Sequence, residues 1–293
     1  MQNVAESLLM RHSERGSYNS CPYRFFLEKQ GLRRVASSPR SDDRTFGIAI
    51  HASLKLHYDG KEWPEIEAEY CKLYPSDKQY KDKAKDYFSG LNTLRNYREY
   101  WSVQDKLWEI IGTEVSDKVN FNDEDHELHI DLLAKNKQTG EIWAWDHKTT
   151  DKALGKGFWK KYELDSQITR YTQFVIEKYG SCGGFIINGI QVGHRERMYK
   201  GELAGYYQKF DRQPFSRNKQ QIKFWMESEK DWQAMIDYSQ ASGVWPKHLS
   251  SLCGYCNYYE LCMSANNSAV KETLYTYDPI EEDSVMEIID ETN

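Results

Sequence analysis

Hydrophobic residues along this chain follow two different periods. Over the first hundred residues they recur at helical spacing. "SCPYRFFLEKQ" (20–30) runs from a Ser–Cys–Pro start to Gly31, and in 46–60 Ile48, Ala52 and Leu56 share one face before Gly60. Two further helical stretches follow, around 63–73 and 78–101. The period then changes to two. "WEIIGTEV" (108–115), "DKVNF" (117–121), "ELHIDLLAK" (127–135) and "EIWAWDHKT" (141–149) alternate apolar with polar residues, and "NKQTG" between the last two predicts a hairpin turn. Helical spacing returns over 158–179, "GGFIINGIQV" (183–192) and "GYYQKFDR" (205–212) read as strands, and 217–242 is helical again. Helices, an antiparallel meander, then helix and strand in turn predict an α/β fold around one central sheet.

Composition narrows this picture. A chain of 293 residues can bury a sizeable core, and no internal repeat or linker divides it, so a single domain is expected up to residue 277. No apolar run is long enough to span a bilayer and the first residues lack an apolar signal core, which points to a soluble, cytoplasmic protein without membrane contact. The net charge of -6 speaks against a nucleic-acid partner only until its distribution is considered. The last sixteen residues, "DPIEEDSVMEIIDETN", hold seven acids and no base, so the remainder is balanced to within one charge. This tail, 278–293, is expected to be disordered, either as a solubilising end, as a cover for a basic groove, or as a docking peptide that uses Val285, Met286, Ile288 and Ile289.

Candidate chemistry lies on the hairpin strands. In "HID" and "WDHKT", strand alternation sends Asp146 and Lys148 to one face and Trp145 and His147 to the other, and the hairpin brings Asp131 near Asp146. Two close carboxylates repel unless a cation lies between them, and oxygen ligands suit Mg²⁺ or Mn²⁺. A neighbouring lysine adds positive charge, the layout of metal-assisted phosphodiester hydrolysis. Taken alone, the three residues fit a surface ion pair equally well. A second feature is "CGYCNYYELC", which packs Cys253, Cys256 and Cys262 into ten residues and leaves a tetrahedral site one thiolate short.

Several of these segments together resemble the PD-(D/E)xK nuclease superfamily, and within it the RecB-type exonucleases that carry an iron-sulfur cluster, including the nuclease half of AddB and the CRISPR-associated RecB-like nucleases. The matching residues are "CPYRFFLE" (21–28), "GIAIH" (47–51), Glu114 in "GTEV", Asp131, "DHKT" (146–149), "QITRY" (167–171) and the terminal cysteines. The resemblance implies a restriction-endonuclease-like core with a mixed central sheet flanked by helices. It would divide the single domain into a helical part (1–105), a nuclease core (106–215) and a C-terminal helical and Fe-S segment (216–265).

By the same resemblance, His51, Asp131 and Asp146 bind the divalent metal and Lys148 is catalytic. Glu114 is a further ligand to metal or water, and His147 offers its backbone carbonyl to the metal. Gln167 and Tyr171, one helical turn apart, contact the DNA strand. Lys160 and Lys161 are expected to hold the backbone, with Trp159 stacking on bases. Cys21, 232 residues before Cys253, becomes the fourth thiolate of a 4Fe-4S cluster, with structural zinc as the competing occupant. Two departures stand out: Leu128 occupies a position where glycine is usual, and His147 replaces an aromatic or aliphatic residue.

The implied activity is a metal-dependent exonuclease on single-stranded DNA ends, duplex ends being a further possibility. Cleavage would run 5′ to 3′, in recombination, repair or CRISPR spacer processing with a protein partner from one of those systems, and the chain would also suit a phage. A structure-specific endonuclease and a non-catalytic DNA-binding adaptor of the same fold are the alternatives.

Overall fold

The computed structural model describes residues 12–35, 42–76, 85–121, 124–193, 196–199, 202–206 and 208–277. The acidic tail and the first part of the helix expected over 78–101 lie outside them. The elements run α1 (His12–Ser20), α2 (Pro22–Lys29), β1 (Leu32–Arg34), α3 (Asp42–Tyr58), α4 (Trp63–Leu73), α5 (Tyr87–Trp101), β2 (Trp108–Phe121), β3 (Glu124–Asn136) and β4 (Ile142–Thr150). They continue with α6 (Lys156–Lys160), α7 (Ser166–Tyr179), β5 (Gly184–Gln191), β6 (Glu196–Tyr199), β7 (Glu202–Tyr206), β8 (Lys209–Phe215), α8 (Lys219–Ser242), α9 (Tyr259–Met263), α10 (Ser268–Leu274) and β9 (Tyr275–Tyr277). No helix is long and apolar enough to cross a membrane among the described residues. The described residues divide into two compact units, one within Arg40–Asp231 and the other within Met10–Pro39 and Trp232–Asn293.

The first unit is a mixed α/β fold around a five-stranded sheet of order β2-β3-β4-β5-β8. β4 and β5 are parallel and the other neighbours antiparallel. The β4–β5 crossover carries α6 and α7, as a parallel connection requires. Under the sheet, Ile130, Leu133, Phe174, Val175, Phe185 and Ile187 form a core in which each residue is at most 2% exposed. A second core joins Phe46, Ile50 and Leu54 of α3 to Tyr70 of α4 and Leu94 and Tyr97 of α5.

Three boundaries differ from the sequence pattern, one being the strand expected over 205–212, whose two ends belong to separate strands, β7 and β8. The helix expected over 158–179 breaks, because the Asp165 side chain accepts the Gln167 N–H at 2.9 Å and starts α7 afresh. The two strands expected over 108–121 are one, since a β-bulge between Ile110 and Gly112 absorbs the irregularity and pairing continues through Ser116. Gly189 on β5 is needed for close approach: a Cβ there would stand 2.7 Å from the Trp159 ring. That indole is buried in the core, so the base-stacking role expected of Trp159 has no exposed face to use.

In the second unit, β1 pairs antiparallel with β9. Leu27, Leu32, Tyr258, Leu261 and Tyr275 pack together, and Tyr258 Oη donates to the Leu32 carbonyl at 2.7 Å.

Candidate active site

Asp131 stands on β3 one residue beyond the Leu132–Trp145 pair with β4, and its Oδ2 accepts the His147 backbone N–H at 2.6 Å. His51, on α3, brings Nδ1 to 3.4 Å from the same oxygen. Burial alone would raise the Asp131 carboxyl, but His51 and the His147 N–H outweigh it and hold the group well below the usual carboxylate range. The reciprocal effect appears on His51. Burial disfavours its charged form, yet Asp131, with Asp146 and Glu114 behind it, pushes the imidazole up to about 9.

Glu114 reaches this pair from β2, where it falls between the Thr113–Leu132 and Val115–Ile130 pairs and therefore opposite Asp131. Its φ is +46°, a left-handed conformation that costs a non-glycine residue energy and is rare within a strand. Ligand atoms of His51, Glu114 and Asp131 all lie within 4.8 Å of one another, close enough to share a metal ion.

Asp146 is buried beside them on β4. Gln167 Nε2 donates to its Oδ1 at 3.2 Å, and Lys148 Nζ lies 2.7 Å from its Oδ2. The Lys148 ammonium is thus the charge partner that faces the buried Oδ2. Burial and repulsion from Asp131 raise the Asp146 carboxyl to about 6 despite Lys148. Burial opposes the charge on Lys148, but Asp146 and Asp131 outweigh it and keep the amine protonated. A cluster of carboxylates with one imidazole, three of whose ligand atoms already lie within 4.8 Å of one another, fits a hard or borderline divalent cation.

Other expected site residues divide. Lys160 and Lys161 are exposed on and just after α6. Gln167 reaches the site, whereas Tyr171 is only 5% exposed and packs against Phe185. The His147 ring faces away from the carboxylates: it stacks on Tyr58 at 5.7 Å, and Nδ1 lies 2.7 Å from Asn188 Nδ2. Burial lowers its pKa to about 3, so the ring is neutral.

Sequence reasoning missed two groups. His129, two residues before Asp131 and hence on its face of β3, places Nε2 2.5 Å from Glu114 Oε2 and Nδ1 2.9 Å from Ser116 Oγ. The period-two rule applied to "HID" could have found it. Behind His147, Arg212 lies between the rings of Trp101 and Trp145 at 3.8 and 4.7 Å, pairs with Asp105, and donates to Tyr58 and Tyr97 at 2.9 Å each. Its hydrogen-bond and ion-pair partners lie 107 residues or more away along the chain, and no local pattern marks them.

In the second unit, Cys21, Cys253, Cys256 and Cys262 line one cavity of about 220 Å³ with Lys247 and His248. Cys21 is the N-cap of α2, and Cys253 lies in a short 3-10 turn, Ser251–Tyr255. Burial raises the Cys262 thiol, and the other three thiols add to the shift against an opposing Lys247. Four thiols and no carboxylate on one cavity form a soft donor set that suits zinc or an iron-sulfur cluster. Cys71 and Cys182 sit elsewhere. Cys71 Sγ lies 3.0 Å from Tyr87 Oη, and burial holds Cys182 at about 11.

A sequence model of the PD-(D/E)XK nuclease superfamily matches residues 12–263. Among solved structures the chain is similar to a protein from Eubacterium rectale described as a candidate exonuclease. The TM-score is 0.52 at 12% identity, over 87% of this chain and 93% of that one. SSO0001 aligns over 73% of this chain and 84% of its own at 11% identity, with a TM-score of 0.28. No curated protein matches.

Proposed function

Because the chain belongs to the PD-(D/E)XK nuclease superfamily, we propose that it is a metal-dependent exonuclease that hydrolyses phosphodiester bonds at single-stranded DNA ends. The observation that carries this reading is the meeting of His51, Glu114 and Asp131 within 4.8 Å, beside an Asp146–Lys148 pair on β4. His51, Glu114, Asp131 and Asp146 would hold the cation, and the mix of imidazole with carboxylates suits Mn²⁺ at least as well as Mg²⁺. A divalent ion held there would polarise the scissile phosphate and lower the pKa of an attacking water.

The remaining roles belong to the chain itself. Lys148, charged and fixed by Asp146, supplies positive charge toward the phosphoryl oxygens as negative charge develops on them. Gln167 fixes the Asp146 carboxylate through Oδ1, and His129 fixes Glu114, so that each ligand is held by a second contact. The His147 N–H does the same for Asp131. Lys160 and Lys161 add charge for the strand backbone.

The four cysteines are proposed to hold a 4Fe-4S cluster that ties α2 to the segment around α9 within the second unit.

The test is a time course on end-labelled linear and circular single strands, and on linear duplex, with Mg²⁺ or Mn²⁺. Release of mononucleotides or short products from the linear single strand, with circles left intact, supports the proposal. The labelled end that disappears first gives the polarity, for which 5′ to 3′ is expected. Cut circles would establish an endonuclease, and no cleavage of any substrate with either metal would leave the binding adaptor.

A further inference from the structure

α5 carries Arg95 and Arg98 three residues apart, and both guanidinium groups lie over the ring of Trp63, at 5.0 and 5.6 Å. Arg95 has an anionic partner, Glu67 Oε1 at 3.0 Å. Among the described residues Arg98 has no ion pair, and its buried Nε has no hydrogen-bond partner. Two like charges on one ring repel, and leaving a buried guanidinium N–H unpaired adds a desolvation cost. An anion within reach of both guanidinium groups would relieve the repulsion.

The space for that anion is present. Arg95 and Arg98 line a cavity of about 580 Å³ together with Lys106, Lys137 and His57. Of its two acidic residues, Asp105 pairs with Arg212 at 2.5 Å and lies 3.8 Å from His57 Nε2, which leaves Glu99 against two arginines and two lysines. Tyr58, Trp108 and Ile110 form an apolar part of the wall. The volume is that of a small-molecule site, and a cationic patch beside aromatic surface matches a phosphate attached to a ring system. The cavity is separate from the metal group. His57 lies six residues beyond His51 on α3, about 9 Å along the helix axis at 1.5 Å per residue.

We propose that this cavity binds the phosphate monoester of a nucleotide, with Arg98 as the principal phosphate ligand and the base or sugar against Tyr58 and Trp108. The nucleotide is either free or the phosphorylated end of a strand, since both present the same group.

Calorimetric titration of the full chain in chelator, with deoxyadenosine monophosphate and with inorganic phosphate as probes, tests this directly. Expected are saturable nucleotide binding, competition by inorganic phosphate, and affinity weakened about tenfold by Arg98→Gln, the loss of one charge-assisted contact. Because Arg98 is partly buried, Lys137→Gln at an exposed position serves as the second variant and is expected to weaken binding without any effect on folding. Lys148→Ala, outside the cavity, should bind normally. A single strand that competes only when it carries a terminal phosphate identifies the strand end as the source; failure of both strands to compete identifies the free nucleotide. Absence of saturable binding, unchanged affinity in both Arg98→Gln and Lys137→Gln, or loss of binding in Lys148→Ala would overturn the proposal.

Discussion

Lys148 Nζ stands 2.7 Å from Asp146 Oδ2, two residues along the same face of β4, and the carboxylate is buried while the ammonium keeps contact with solvent. That asymmetry fixes what removal of the lysine does. In Lys148→Ala, Asp146 loses the charge that opposes its burial and its repulsion from Asp131, so its carboxyl moves above about 6.

Stability then depends on pH in a defined sense. The attraction exists only while Asp146 is ionised. Lys148→Ala should therefore cost about 1–2 kcal/mol at about pH 8, reduced from a fully buried pair because the amine is solvent-facing, and close to nothing at about pH 5. Urea unfolding of the two proteins at both pH values checks this.

Metal binding must displace protons. His51 has its pKa raised to about 9 in the metal-free protein, so it is an imidazolium at pH 7, whereas Asp146 is mostly ionised above about 6. In the metal-free state the His51 contribution to stability is complete below the ordinary histidine value and is lost as pH rises through about 9. A cation competes with the His51 proton, so affinity should climb about tenfold per pH unit between about 6 and about 9, with about one proton released per ion. Calorimetry in two buffers of different ionisation enthalpy measures that proton directly. Affinity independent of pH across this window would remove His51 from the ligand set.

Much of this site is legible in the sequence. Strand alternation placed Asp146 with Lys148 and turned His147 away, and the "NKQTG" turn set the register that puts Asp131 beside them. Those inferences needed only local periodicity and a turn. Glu114 illustrates where such reasoning stops. Its position opposite Asp131 follows from the β2–β3 register after the bulge at Ile110–Gly112, and its φ of +46° carries no sequence signal. The Arg212–Asp105 pair and the two indoles around it are equally silent, because they form only once β8 lies beside β5 in the sheet. Tyr171 shows the converse: the helical spacing with Gln167 is real, yet the tyrosine sits in the core while the glutamine reaches the carboxylate.

The strained backbone at Glu114 gives a sharp test of its role. Glu114→Gln keeps size while it removes the charge, and metal affinity should fall about 10- to 100-fold, beside a loss of stability from the weakened His129 contact. If Glu114 were only a partner for His129, stability alone would fall and metal affinity would not move.

The cysteine cavity is open to spectroscopy. Protein purified without oxygen should be brown and hold about four iron and four sulfide per chain. Cys256→Ala should be colourless and deficient in folding of the second unit, whereas Cys182→Ser, whose sulfur lies outside the cavity, should keep the colour. A colourless wild type containing one zinc would replace the cluster with a tetrahedral zinc site.

Cleavage of a 5′- or 3′-labelled linear single strand with Mn²⁺ or Mg²⁺, by wild-type protein and by Lys148→Ala, tests the central claim most directly. The site predicts metal-dependent degradation by the wild type and a loss of about 10²-fold or more in Lys148→Ala, the scale for removing a preorganised charge from a transition state. Equal cleavage by the two proteins, or cleavage undiminished by chelator, would contradict it.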